Sequence, residues 1–341
     1  MSGVLDTILD TFTRTTVSLC GTRLDGKGNK SAVAKEYLEA FAPHRHSDPF
    51  LTYYKVGSDK NLQSTSYTRG EFYDLALRAC HVLATNGLRP GDCVTHFFSC
   101  NTLGDLAFRL AAVFVGVTPV TINWQADTPD RVLYKVALTQ SKLVLIDDDT
   151  DASVVELLKG KADPAPLIFN TSGLPDAPAL SLSSLSAAMA LAVDATGPDA
   201  TRFVIFTSGT TGNPKGVKLA YKAYKCNRDT FESFLEAGDD KQLVAVVVNP
   251  MHHTNSTSMT DWALRKPGAQ VHLLQRYTTQ YWSVLARAGT RLSSNTTASG
   301  AKLQAAIDER KSAGDTVVVA PLVSRHFDFL DTLTRSWDPW G

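Results

Sequence analysis

An excess of charge of either sign is the first thing this sequence lacks. Its 34 Lys and Arg balance 34 Asp and Glu, so no basic field exists to gather nucleic acid or an anionic membrane surface. Cysteine is scarce: Cys20, Cys80, Cys93, Cys100 and Cys226 form an odd set with no Cys-x-x-Cys spacing. That argues against a disulfide framework or a zinc site and fits a reduced compartment. Long apolar runs are missing too. The most apolar stretch, 106–120, contains Arg109 and Gly116 and is too short to span a bilayer. Residues 1–20 mix Asp6 and Asp10 with Ser and Thr and hold no apolar signal-peptide core. The glycosylation triplets at Asn170, Asn255 and Asn295 therefore read as chance matches, and a soluble, cytoplasmic protein is expected. No His-Glu-x-x-His, no Gly-x-Ser-x-Gly and no internal repeat occurs, which leaves a zinc protease or a serine hydrolase without its motif.

What the chain does have is an alternation of helix and strand signals. Thr68 with Glu71 reads as a capping box. Phe72, Leu75, Ala76, Ala79, Val82 and Leu83 then keep helical spacing up to a terminal Gly87. A turn at Pro90-Gly91-Asp92 leads to a strand over 93–98, a helix over 105–115, and a strand over 117–122. Thr128-Pro129 opens the next helix, with proline at its favoured first position, and 143–146 is again a strand. The Ala, Pro, Ser and Asp-rich stretch 147–199 is expected to be surface elaboration. A second series follows: strands at 203–206 and 217–219, a helix over 224–235, and strands at 244–248 and 317–319, with 291–315 loose. Residues 1–64 carry few clear signals and are assigned as an N-terminal extension, 65–199 as a first lobe and 200–341 as a second. The expected fold class is α/β, two lobes of mainly parallel β-sheet flanked by helices.

The chemistry is concentrated in ten residues after an apolar strand: Thr207-Ser208-Gly209-Thr210-Thr211-Gly212-Asn213-Pro214-Lys215-Gly216. Gly209, Gly212 and Gly216 permit backbone angles that turn N–H groups toward a phosphate. Thr207, Ser208, Thr210 and Thr211 add hydroxyl donors and Lys215 a positive charge, so together they suit the β- and γ-phosphates of ATP. The P-loop of kinases and GTPases is a different motif. There the lysine follows a glycine and opens a helix, whereas here Pro214 holds the glycine position and Val217 and Leu219 continue as a strand.

These ten residues resemble, position for position, the signature of the AMP-binding superfamily of adenylate-forming ligases. Gly87-Leu88-Arg89-Pro90-Gly91-Asp92-Cys93-Val94 is similar to that family's G-L-x-x-G-D-x-V turn, 116–123 to its G-x-x-x-x-x-x-N element, and Asn249-Pro250-Met251-His252-His253 to its Pro-x-aromatic-His group. The resemblance covers 65–285 well and the two ends poorly. It implies that a carboxylic acid is activated with Mg-ATP to an acyl-adenylate and passed to a thiol, that of CoA or of a carrier protein's phosphopantetheine. It implies Lys215 and His253 as catalytic residues and Thr207, Ser208, Gly209, Thr210, Thr211, Gly212, Lys215 and Gly216 as the ATP cradle, with Thr211 the hydroxyl on the magnesium side. Only alignment separates His253 from His252. No aspartate suited to a substrate ammonium can be placed, which favours an acid without an α-amino group.

Other features are read as structural. Asp147-Asp148-Asp149 is a solvated strand-end turn, His81 and His96 are packing residues, His44-Arg45-His46 has no partner at ligand spacing, and Trp262, Trp282, Trp337 and Trp340 are packing aromatics. The family's Tyr-Gly-x-Thr-Glu and Thr-Gly-Asp motifs and its lid lysine do not occur in 286–341. A C-terminally truncated relative that adenylates slowly and leaves a sheet edge open is therefore expected, with the missing C-terminal domain as a further partner. The competing reading is a non-catalytic nucleotide- or partner-binding module of the same fold.

Overall fold

Short apolar strands separated by amphipathic helices assemble two sheets in the computed structural model, which describes residues 32–59, 61–207, 213–290, 300–322 and 326. In chain order the first elements are α1 (Ala32–Ala40), β1 (Pro49–Val56), β2 (Leu62–Thr68), α2 (Arg69–Thr85), β3 (Cys93–His96), α3 (Leu103–Val115) and β4 (Thr118–Thr121). Then come α4 (Pro129–Thr139), β5 (Leu143–Ile146), α5 (Ala152–Lys161), β6 (Leu167–Asn170), α6 (Leu182–Ala192), β7 (Thr201–Thr207) and β8 (Lys215–Ala220). The remainder is α7 (Tyr221–Phe234), β9 (Gln242–Val247), α8 (Thr254–Arg265), β10 (Gln270–Leu274), α9 (Tyr281–Arg287), α10 (Gly300–Ala313) and β11 (Thr316–Val319). The fold is mixed α/β, with two mostly parallel sheets flanked by helices. Among the described residues no helix is long and apolar enough to cross a membrane.

The first compact unit takes the described residues up to 48 and from 69 to 226. Its sheet has the order β6-β5-β3-β4-β7-β8, parallel throughout except for the β7–β8 hairpin. The six apolar positions read from 72 to 83 are all buried in α2. That helix ends as expected: Leu88 N–H donates to Leu83 O and Gly87 N–H to Ala84 O, both at 3.1 Å, with Gly87 at φ 74°. This pair of bonds satisfies carbonyls the helix cannot use itself. α3 begins two residues earlier than expected, at Leu103, because Thr102 caps it: the Thr102 hydroxyl accepts the Asp105 N–H.

Four expectations are corrected here. The stretch 147–199 is not surface elaboration: β6 extends the sheet beside β5, and α6 buries Leu185, Met189 and Ala192, the last lying against Gly116. Its Ala and Ser content hid a narrow apolar stripe at positions four and three apart. The first sixty-four residues are not an appendage, since Tyr37 of α1 and Phe41 just after it are buried and β1 is an inner strand of the second sheet. The strand that leads into the 207–216 segment lies in the first unit, with β7 pairing to β4 through Val120 and Val204, rather than beginning a second lobe at 200. Within 291–315, residues 300–313 form α10 rather than a loose segment.

The second unit takes 49–68 and 227 onward, the division falling inside α7. Its sheet order is β11-β9-β10-β1-β2, with only the β1–β2 pair antiparallel. Leu51 on β1 pairs with Val271 on β10, a contact no local pattern announces. β11 is an edge strand of half-buried residues, paired with β9 among the described residues.

Inside this sheet the Tyr54 hydroxyl lies 2.9 Å from Nδ1 of His272. Burial pushes Tyr54 up to about 12 and His272 down to about 4. The phenol therefore donates to a neutral imidazole. Because the folded state binds this proton more weakly than the unfolded chain, the stabilisation is complete above the ordinary imidazole value and is lost as pH falls toward 4. We expect about 3 kcal/mol of stability to disappear between pH 7 and pH 4 from this group. Urea unfolding across that range should show a correspondingly shallower pH slope in His272→Asn, and identical slopes would refute the assignment.

Candidate functional site

The loop singled out in the sequence is the connection of a β-hairpin. Thr207, the last residue of β7, is the register partner of Lys215, the first of β8. Both are exposed while Pro214 is buried, so the proline anchors the returning strand and leaves the lysine side chain in solvent. Ser208, Gly209, Thr210, Thr211 and Gly212 lie outside the described residues, and with them the magnesium assignment to Thr211. Among the described residues no three His, Cys, Asp or Glu side chains gather to hold a metal ion.

Gly216 has a different use from the one expected. It stands in the ladder opposite Phe206 and is not among the glycines with positive φ. A Cβ there would lie 3.3 Å from Val204 Cγ1 and 3.4 Å from the Phe206 ring. Its requirement is therefore close approach of an aromatic ring to the backbone, not a left-handed conformation.

Beside the hairpin, β4 runs out into a tight turn at Asn123. The Asn123 side chain accepts the Gln125 N–H at 3.1 Å, and the Asn123 N–H donates to Asp127 Oδ2 at 2.9 Å. The same carboxylate oxygen accepts from Lys135 Nζ on α4. That ammonium sits 4.7 Å from the centroid of the Phe206 ring. Burial depresses the Lys135 pKa, while Asp127 acts to restore it. Sequence reasoning passed over Asp127 and Lys135. They are eight residues apart across a helix start, a spacing with no meaning until the turn is folded.

The two flanking motifs hold each other. Arg89 N–H donates to Asp92 Oδ2, Gly91 N–H to Gly116 O, and Thr118 N–H to Asp92 O, each at 2.8 Å. Gly91 needs its φ of 89° to make that crossing. The 87–94 turn thus sets the start of β4 against β3, and β4 in turn delivers Asn123 to the neighbourhood of the hairpin.

His96, expected only to pack, belongs to a buried polar group. His96 Nδ1 lies 2.7 Å from Asp105 Oδ1, while Arg109 donates to Asp105 from Nε at 2.6 Å and from Nη2 at 3.1 Å. Burial works against the Asp105 charge, but Arg109 and His96 outweigh it and hold the carboxyl at about 2. Arg109 also lies 5.2 Å from the Phe203 ring, on the strand that feeds the loop. Asp147 accepts from Ser99 N–H, Ser99 Oγ and Thr150 Oγ1.

The second unit holds the remaining candidate. After β9 the chain turns at Pro250, whose carbonyl accepts the His253 N–H at 3.0 Å. Asn249 Nδ2 donates to Pro321 O, and Ser256 Oγ to Asn249 O. The turn sends Met251 and His252 inward and leaves His253 exposed at the N-cap of α8. The two imidazoles are 4.3 Å apart, and partial burial lowers the His253 pKa so that its neutral form dominates near pH 7. Lys215 and His253 thus belong to different units.

Comparison with known proteins follows the same lines. Residues 38–311 match the family model described as AMP-binding enzyme. A long-chain-fatty-acid–CoA ligase, FadD13, from Mycobacterium tuberculosis is 26% identical over 218 residues, covering 64% of this chain and 42% of the relative. Pyochelin synthetase PchE from Pseudomonas aeruginosa is 29% identical over 188 residues, covering 52% and 11%. The o-succinylbenzoate CoA synthetase of Bacillus subtilis, in complex with its acyl-adenylate intermediate, superposes with a TM-score of 0.60 at 17% identity, over 89% of this chain and 65% of that one. The chain spans less than half the length of the curated relatives it matches.

Proposed function

Because the chain belongs to the AMP-binding enzyme family, we propose that it activates a carboxylic acid with Mg-ATP as an acyl-adenylate and passes the acyl group to a thiol. In the first step a carboxylate oxygen bonds to the α-phosphorus and the bond to the β-phosphate bridging oxygen breaks, releasing pyrophosphate. In the second, the sulfur bonds to the acyl carbon, AMP leaves, and the thiol proton goes to solvent. An anion must approach a polyanion, so donors and cations around the phosphates carry most of the rate.

The observation that supports this reading is the hairpin itself. Thr207 and the exposed Lys215 face each other at the two roots of a connection made of glycine and hydroxyl residues. Lys215 is assigned to the phosphates and the departing pyrophosphate, the loop N–H groups and hydroxyls to the same oxygens, and Thr211 to the magnesium side. His253 is assigned to the acid, as a neutral imidazole. The acceptor is CoA or a carrier's phosphopantetheine, and a cytoplasmic, reducing setting suits either thiol.

The test is acid-dependent exchange of labelled pyrophosphate into ATP, run with this chain, magnesium and a panel of fatty and aryl acids. Exchange with one acid class supports the ligase reading and identifies the class. Magnesium-dependent ATP binding with no exchange for any acid selects a nucleotide-binding module in its place.

A further inference from the structure

The roots of the loop rest on a buried ion pair that the proposed chemistry does not otherwise use. Lys135 is 2% exposed, and a lysine is rarely enclosed to that degree without a partner. Its partner is Asp127, whose Oδ2 also receives the Asn123 N–H. One carboxylate therefore ties the end of β4 to α4 and aims the ammonium. The ammonium meets the Phe206 ring 4.7 Å from its centroid, a distance at which a desolvated cation is attracted to an aromatic face. Phe206 is the register partner of Gly216, where the missing Cβ leaves space for the ring. The next pair along the ladder is Thr207 and Lys215. We infer that Lys135 is a positioning residue for the phosphate-binding loop: held by Asp127, it fixes the Phe206 ring and so the Thr207–Lys215 pair from which the loop is suspended.

This rests on the proposed role of the loop. It follows that Lys135 acts without touching nucleotide. Its charge is what the ring responds to, so arginine, which also pairs with carboxylate and stacks on aromatic faces, substitutes for it, and methionine of similar length does not. Lys135→Met strands the Asp127 carboxylate. The double variant Asp127→Asn/Lys135→Met removes both charges, keeps an acceptor for the Asn123 N–H, and tests the ring contact without an unpaired buried ion.

Amide hydrogen exchange on the full chain, followed in peptides spanning 201–220 and in peptides spanning β5 and β6, reads the effect directly. The expected result is exchange roughly tenfold faster in the hairpin for Lys135→Met and for the double variant, with β5 and β6 unchanged, and wild-type protection in Lys135→Arg. Magnesium-ATP affinity should fall by about tenfold in the same two variants and return in Lys135→Arg. Unchanged hairpin exchange in the double variant overturns the inference. So does uniform acceleration across β5, β6 and the hairpin, which would make the pair a general staple. If the wild-type chain itself fails to bind magnesium-ATP, the proposed function falls, while the exchange comparison still decides whether Lys135 positions the hairpin.

Discussion

Lys215→Ala should lower acid-dependent pyrophosphate exchange by about 10²–10³-fold, the usual cost of deleting one preorganised group that stabilises developing charge. The same substitution should leave the urea midpoint close to wild type. Lys215 is exposed at the start of β8, and exposed positions away from caps and cores change stability within about 0.5 kcal/mol. The combination separates chemistry from folding. Its backbone pairing with Thr207 does not depend on the side chain, so the hairpin survives and only the charge is lost. Lys215→Arg should recover part of the activity, because a charge remains but with a planar, forked shape unsuited to the same point contact. Full exchange in Lys215→Ala would mean that the loop does not serve the triphosphate, and the functional reading would then need another anchor.

Asp105→Ala should be the most destabilising single change outside the apolar core, at about 3–5 kcal/mol. The carboxylate accepts two bonds from Arg109 and one contact from His96 in a site where all three residues are buried. Removing it leaves the guanidinium without those two acceptors and the imidazole without its Nδ1 partner. Burial of a charge stripped of its counter-ion costs far more than the intact pair contributes. Denaturant unfolding monitored by circular dichroism measures the loss, and Asp105→Ala/Arg109→Met should recover part of it, since the two sites are in contact and their effects are not additive. A loss under 1 kcal/mol would show that Arg109 and His96 find other partners. Arg109 also lies 5.2 Å from the Phe203 ring, in the strand that leads to the 207–216 segment.

The local signals that survived into the structure share a cause. The 72–83 stripe, the Gly87 terminus, the Pro90-Gly91-Asp92 turn and the Thr128-Pro129 helix start each depend on residues within a few positions of one another. Their backbone preferences act before any tertiary contact forms. The 207–216 segment is likewise marked by residue order alone, and the structure adds that Thr207 and Lys215 are register partners. α6 and β6 were illegible because an Ala- and Ser-rich helix shows little amphipathic contrast, and a four-residue strand reads like any apolar run.

What the amino-acid sequence determined by itself was the α/β class and the family, because these rest on short-range order and periodicity. Which sheet each strand joined was decided only on folding. Leu51 pairs with Val271, and Val120 with Val204. An apolar strand offers the same hydrogen-bonding edge to either sheet until neighbouring side chains select one. The same holds for the buried charges. Asp127 and Lys135, or His96 and Asp105, are ordinary residues in sequence, and they become partners only where the folded chain removes water and leaves each the other to bond.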